Sequence, residues 1–304
     1  MKILYFNNCW FTNVGEAFID IGGMELVKKI FGYQCRIACL SAMTDYYVRN
    51  APAKKWLSLG GGQTSTLKHM SDYLSADYVV IPGMVGTKEY LNSPARRMVD
   101  TLVKKGCKAI FLGLGGIDYD KDEIEAISAY FKQIKPAFIT TRDNDVYGYY
   151  KDIVPCIRGL DCAFWVIDAF DPKGFVNKSY NVVTFNRMTE PVEFKDMHNV
   201  IRPWHMQYAF RKEMGDPSVM ISDTPYDYLT LYANADKVYT DLVHATITSL
   251  MYGTPVKFYK NGTRWRAFEA LDDLKSEDGW LSVDKTSLES QKEKIIREIK
   301  AIVM

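Results

Sequence analysis

The chain has little of what most readily announces a function. Its 304 residues hold four histidines and six cysteines, and no two cysteines stand as Cys-x-x-Cys. Cys9, Cys35, Cys39, Cys107, Cys156 and Cys162 lie mostly in or beside apolar stretches, so they read as reduced, mostly buried thiols. The histidines show no ligand spacing with them, so no metal is expected. Charge of one sign is also missing: 38 Lys and Arg face 37 Asp and Glu, a net +1. No global field gathers nucleic acid or an anionic membrane. There is no apolar run long enough to span a bilayer. The opening MKILYFNNCW turns polar too soon for a secretion signal, so a cytoplasmic protein is expected. Internal repeats and low-complexity segments are absent.

What is present is a regular alternation. Apolar runs at 2–7, 78–82, 107–112, 137–141, 156–159, 180–185, 219–222, 237–240 and 256–259 read as strands. Helical periodicity falls at 15–31, 66–74, 94–105, 123–135, 144–150, 225–234, 245–252 and 287–303. Residues 192–199 and 204–214 read as a further strand–helix passage. Strands alternating with helices predict an α/β fold with mainly parallel sheets. The length suits two cores. The segment Phe170-Asp171-Pro172-Lys173-Gly174 is the linker candidate, giving an N-terminal unit 1–172 and a C-terminal unit 173–304, whose last helix is free to pack back on the first unit. Glycines at 60–62, 83 and 86, and 113, 115 and 116 follow strands, where backbone can approach a ligand closely or simply turn.

The stretch 222–271 is the most informative. A strand ends at Thr240, a tight turn carries Asp241, and His244 opens the next helix, which Gly253 and Pro255 end. Free N–H groups at a helix start suit an anion. A histidine there either exchanges a proton with a ligand or packs under the helix on a carbonyl. Elsewhere, Asn13 and Gly15 stand between the first strand and its helix, Asn13 reading as an N-cap or a ligand contact. Arg142 follows a strand, where it meets an anion or pairs with Asp143 or Asp145. Asp161 reads as a turn former. Arg187 ends the first strand of the second half. His198 and His205 sit in no motif and read as structural or solvated. Arg264 and Arg266 interleave with Trp265 and Phe268 over too short a span for a nucleic-acid surface.

Asp241, His244, Ala245, Gly253 and Pro255 together resemble the C-terminal signature of the polysaccharide pyruvyl transferase family. Asn13-Val14-Gly15-Glu16 is similar to its Asn-x-Gly-Asp, and Arg142-Asp143 to its Arg-Asp. The family's arginine two residues before the histidine is replaced by Leu242. The resemblance spans nearly the whole chain and is most specific in 222–271. It implies two Rossmann-like units facing a central cleft, in the GT-B-like arrangement. It also implies transfer of a pyruvyl group from phosphoenolpyruvate to a sugar of a surface polysaccharide or its lipid-linked precursor, as a ketal, with no further cofactor. His244 would be the acid/base. Arg187, Arg142 and Arg264 would clamp the donor, with Arg187 in place of the arginine lost at Leu242. Asn13 and Gly15 would position the acceptor, and Asp241 would belong to the binding site. The expected setting is cytoplasmic exopolysaccharide or cell-envelope synthesis, peripheral to membrane-bound glycan machinery. Two other readings share this cleft. One is a nucleotide-sugar-dependent glycosyltransferase, which Asp236 or Glu269 holding a ribose would favour. The other is a non-catalytic glycan-binding relative, which an apolar, closed pocket beside His244 would favour.

Overall fold

The computed structural model describes residues 1–7, 13–41, 70–117, 119–206 and 215–304. Six parallel strands form the first sheet: β1 (Lys2–Asn7), β2 (Arg36–Ser41), β3 (Tyr78–Pro82), β4 (Lys108–Leu114), β5 (Phe138–Thr141) and β6 (Cys156–Arg158). Their spatial order is β2-β1-β3-β4-β5-β6. The second sheet contains β7 (Asn181–Thr184), β8 (Val200–Pro203), β9 (Val219–Met220), β10 (Lys237–Thr240), β11 (Val256–Phe258), β12 (Leu274–Glu277) and β13 (Trp280–Val283). Its order is β12-β13-β11-β10-β7-β8-β9, parallel except at the β12–β13 edge. The expected α/β architecture of two units with mainly parallel sheets facing a cleft is thus present.

Parallel strands buried on both faces need continuous apolar runs. β3 is buried throughout, and β4 after its first residue. The helices are α1 (Val14–Phe31), α2 (Lys88–Leu91), α3 (Pro94–Lys104), α4 (Lys121–Ile134), α5 (Asn144–Tyr150), α6 (Val166–Ala169), α7 (Pro225–Asn234), α8 (Val243–Tyr252) and α9 (Lys285–Val303). Most begin at a side-chain cap, such as Asn13 for α1, Asp143 for α5 and Asp284 for α9. No described helix is long and apolar enough to cross a membrane.

One apolar core runs through both halves, joining Tyr5, Phe18 and Trp165 to Tyr228, Val238 and Ile247. α1 lies at its centre, buried on most of its surface. Gly22 makes this possible: a Cβ there would run into the Cys162 backbone. α9 returns from the second half to lie against α1 and β6. Burial of Ile295 and Ile299 anchors it, each contributing about 1.5–3 kcal/mol. Its buried Lys292 reaches Asp168 at 3.0 Å and Glu289 at 2.8 Å.

Several sequence expectations need correction. β2 and the β12–β13 hairpin are unforeseen. β2 is largely exposed, and the hairpin is partly exposed and mixed in polarity. Residues 192–194 form a 3₁₀ turn, and the strand of that passage is β8. The described end of the helix expected at 66–74 is a 3₁₀ turn, Met70–Asp72. Cys107 and Cys162 are buried, but Cys35 and Cys156 are half-buried and Cys39 exposed; all five are free. The linker candidate, residues 170–174, is held by hydrogen bonds. Lys173 Nζ donates to the Tyr252 carbonyl (2.7 Å), the Gly174 N–H to Asn234 Oδ1 (2.7 Å), and Tyr252 Oη to the Phe170 carbonyl (2.8 Å). Cys9, the glycines 60–62 and the helix expected over 207–214 lie outside the described residues.

Candidate active site

The cleft opens at the carboxyl ends of the parallel strands, the usual ligand position in such sheets. It encloses about 930 Å³, part of it open to solvent. Asn13, Arg142, Arg187, Asp241, His244 and Arg264 all line it. These are six of the seven residues expected from the sequence, drawn from segments as distant as Asn13 and Arg264. The seventh, Gly15, lies directly behind the histidine. A Cβ at Gly15 would sit 2.5 Å from His244 Nδ1, so only glycine leaves the ring its place.

His244 is the second residue of α8. The N-cap of that helix is Leu242, which has no side-chain oxygen to accept from the first turn. A serine or aspartate there would close those N–H groups. Leucine leaves them directed at the cleft, with the positive end of the helix dipole behind them. Leu242 itself is buried in the core.

Two buried carboxylates organise the cleft walls. Asp241 accepts from the N–H groups of Asn186 (3.1 Å), Arg187 (2.9 Å) and Met188 (2.7 Å). Its contribution is to fix the backbone of the loop that presents Arg187. Asp161 accepts from the Ala163 N–H at 2.9 Å, which starts the 3₁₀ turn Cys162–Trp165. The turn expected there exists, and the same carboxylate does more. Its Oδ2 lies 2.7 Å from Arg142 Nη1 and 3.7 Å from His244 Nε2. Burial alone would raise its pKa, but His244 and the Arg142 guanidinium outweigh that and hold it well below the ordinary carboxylate range. Arg142 therefore pairs with Asp161, not with Asp143 or Asp145. Asp143 instead caps α5 through Val146 (2.7 Å) and accepts from Gly116 (3.2 Å). Asp145 pairs with Arg266, whose guanidinium lies over the Tyr119 ring at 4.3 Å. Gly115 gives the Arg142 side chain its room: a Cβ there would overlap the guanidinium.

Three cleft residues were missed as site candidates. His205, read as structural or solvated, lines the cleft and is buried. Its Nε2 meets Tyr232 Oη at 2.6 Å, and its carbonyl accepts from the Val14 N–H at 3.1 Å, so it also clips α1 to the opposite wall. Burial, with the nearby His244 and Arg187, pushes its pKa down to about 3. It belongs to no motif, so the sequence carried no signal for it. Glu16 enters the sequence reading only as the last residue of the Asn13–Glu16 motif. It lines the cleft and accepts from Asn13 Nδ2 at 3.3 Å. Tyr119, in left-handed backbone at φ 58°, forms part of the rim with Arg266. Burial, with Asp143 nearby, pushes its phenol up to about 12. Thr263 ties this rim across the cleft by donating to the Ile117 carbonyl at 2.9 Å. Asp236 precedes β10 and bonds Ser179, at the strand end away from His244. Neither it nor Glu269 is among the described residues that line the cleft.

A family model described as polysaccharide pyruvyl transferase matches residues 13–259. No curated protein matches the chain. Among solved structures, a UDP-N-acetylglucosamine 2-epimerase aligns with TM-score 0.54 at 10% identity, over 99% of this chain and 90% of its own. MnaA of S. aureus, solved with UDP, aligns with TM-score 0.51 at 10% identity over 98% and 90%. The UDP-GlcNAc 2-epimerase of Methanocaldococcus jannaschii, in complex with UDP-GlcNAc and UDP, gives TM-score 0.50 at 11% identity over 100% and 93%. At such identities these likenesses speak for the fold alone, which is the GT-B-like pairing of two Rossmann-like units.

Proposed function

The chain belongs to the polysaccharide pyruvyl transferase family, and on that premise we propose that it transfers the pyruvyl group of phosphoenolpyruvate to a pair of hydroxyls on a polysaccharide sugar, closing a ketal. The observation that supports this most is the company around His244: Arg142, Arg187 and Arg264 share its cleft, beside the start of α8. Phosphoenolpyruvate carries a phosphate and a carboxylate. Guanidinium groups and helix N–H groups are the donors that suit both. The family's arginine is absent at Leu242, and Arg187, held from behind by Asp241, is our candidate to replace it. The charged side chains that line the cleft, Arg142, Arg187, Arg264 and Glu16 among them, weigh against the non-catalytic glycan-binding alternative.

The chemistry needs one acid at carbon. His244 donates a proton to the methylene carbon of the donor, whose π electrons form the new C–H bond. The resulting cationic carbon takes the first sugar oxygen, and that hydroxyl's proton returns to the ring. The carbon–oxygen bond to phosphate then breaks with its electron pair. The second hydroxyl closes the ketal, and its proton leaves with phosphate. The arginines hold the charge that develops on the leaving group. Metals and further cofactors have no part in this scheme. We assign the acceptor to the wall from residues 1–172, where Asn13 and Glu16 face the cleft, and the donor to residues 173–304, with Arg142 reaching across. The free thiols support a reducing, cytoplasmic setting.

Thermal unfolding with phosphoenolpyruvate and, separately, with a panel of nucleotide sugars tests this reading. Donor at a hundred times its dissociation constant stabilises by about 2.7 kcal/mol, on the order of 5 °C for a chain this long. We expect that shift with phosphoenolpyruvate and its loss in Arg187→Ala. A shift only with nucleotide sugars would assign the cleft to a glycosyltransferase instead.

A further inference from the structure

We propose that Asp161 is a positioning residue of the transfer step: it selects the nitrogen of His244 that carries the mobile proton and couples that proton to the occupancy of Arg142. The chemistry of this proposal rests on the pyruvyl-transfer reading above; the geometry does not. Asp161 is buried, and Oδ1 is committed to the Ala163 N–H. Oδ2 faces Arg142 Nη1 at 2.7 Å and His244 Nε2 at 3.7 Å. An ionised carboxylate only accepts, so the ring nitrogen turned to it is the one bearing hydrogen. The opposite nitrogen, Nδ1, is backed against Gly15. Nε2 is therefore also the nitrogen on the Arg142 side, where it meets a donor that Arg142 holds.

The charged groups that share the cleft with this ring are Arg142, Arg187, Arg264, Arg266, Glu16, Asp143 and Asp241, with His205 held neutral beside them. Four arginines oppose a charged imidazole. Asp143 and Asp241 give their oxygens to backbone N–H groups, and Asp161 is the carboxylate that reaches Nε2. Arg142 lies the closer of the two partners of Oδ2. An anionic donor competes with Asp161 for that guanidinium. As Arg142 turns to the donor, Oδ2 is left to His244 and favours the imidazolium, the form that donates. Donor binding and acid activation become one event. In the step itself the Nε2–H bond breaks with its electron pair left on the ring, and the hydrogen goes to the methylene carbon.

Ring ¹⁵N–¹H correlations of His244 in the ligand-free protein test this without reference to activity. We expect the Nε2–H form in the wild type. In Asp161→Asn the amide cannot cap Ala163 and also present an acceptor to both partners. The Nε2–H population should drop, and the titration midpoint of the ring should fall on the order of one pH unit. In Arg142→Gln, where Oδ2 belongs to His244 alone, the midpoint should rise. An unchanged tautomer and midpoint in Asp161→Asn overturn the proposal. If that variant does not fold, Arg142→Gln decides alone, and no rise overturns it. In turnover, Asp161→Asn should lose roughly tenfold or more in kcat with a smaller change in KM for phosphoenolpyruvate; a change in KM alone also overturns the proposal. Should phosphoenolpyruvate fail as donor for the wild type, the donor reading falls and the ring measurement still decides the role of Asp161.

Discussion

The two walls of the cleft use the same part, a buried aspartate at a strand's carboxyl end, in opposite ways. In the N-terminal wall Asp161 turns one oxygen to the side chains of Arg142 and His244. In the C-terminal wall Asp241 turns both oxygens to backbone N–H groups of 186–188. A carboxylate facing mobile charges adjusts how those charges behave. A carboxylate facing peptide groups fixes a loop. The difference separates a wall whose carboxylate faces side chains from a wall whose carboxylate holds backbone, although His244 stands on the second and Asp161, which faces it, on the first.

Removing the group on which the walls converge should have the largest effect. His244→Ala is expected to lower phosphate release from phosphoenolpyruvate plus acceptor by about 10²–10⁴-fold, with the fold retained by circular dichroism. Full activity would leave the comparison without its centre. Asp241→Ala next tests the holding wall. Three N–H groups lose their acceptor at a buried site, where one unsatisfied donor costs about 1–3 kcal/mol. Urea unfolding should show a loss of about 3 kcal/mol, larger than for Asp161→Asn, which keeps one oxygen. If Asp161→Asn proves the more damaging to stability, the two roles are reversed. Gly15→Ala pushes one wall into the other. Displacing the His244 ring by about an ångström should lower kcat roughly 10²-fold, while the midpoint of unfolding moves little.

The smallest effect concerns His205, which sharpens the contrast within a single wall. Its folded-state pKa lies near 3, below the ordinary 6.5, so the native state disfavours its proton. The unfolded chain binds that proton as pH falls below about 6.5, so this contribution to stability is present above that pH and is lost progressively toward pH 3. Between pH 7 and pH 5 the wild type should lose about 2 kcal/mol from this source. His205→Gln should remove that share of the pH dependence, measured by urea unfolding at both values. An unchanged slope would mean that His205 is not held neutral.

Much of this was legible in the residues. The alternation of apolar runs and helical periods gives both sheets, because buried parallel strands must be written as apolar runs. The turn at Asp241 and His244 is local, with its strand, helix stop and proline within about twenty residues. What escaped is non-local or weakly patterned. Arg142 has two acids within three residues, and proximity in sequence favoured them, yet the chain folds Asp161 onto it from the end of a different strand. His205 reaches the cleft only because β8 lies beside β7, a pairing that no single residue announces. The β12–β13 edge is half-exposed and mixed in polarity, so it lacks the signature that marked the interior strands.

The clip between α1 and the second half has a consequence for how such a protein can change over evolution. The Val14 N–H is satisfied by the His205 carbonyl, Gly15 is shaped to the His244 ring, and Asp161 is shared between an arginine of one half and a histidine of the other. Neither half carries a finished site. A chimaera that joins the first half of this chain to the second half of a divergent relative would inherit two surfaces fitted to absent partners. New specificity is therefore more accessible by substitution within the cleft than by recombination of whole halves.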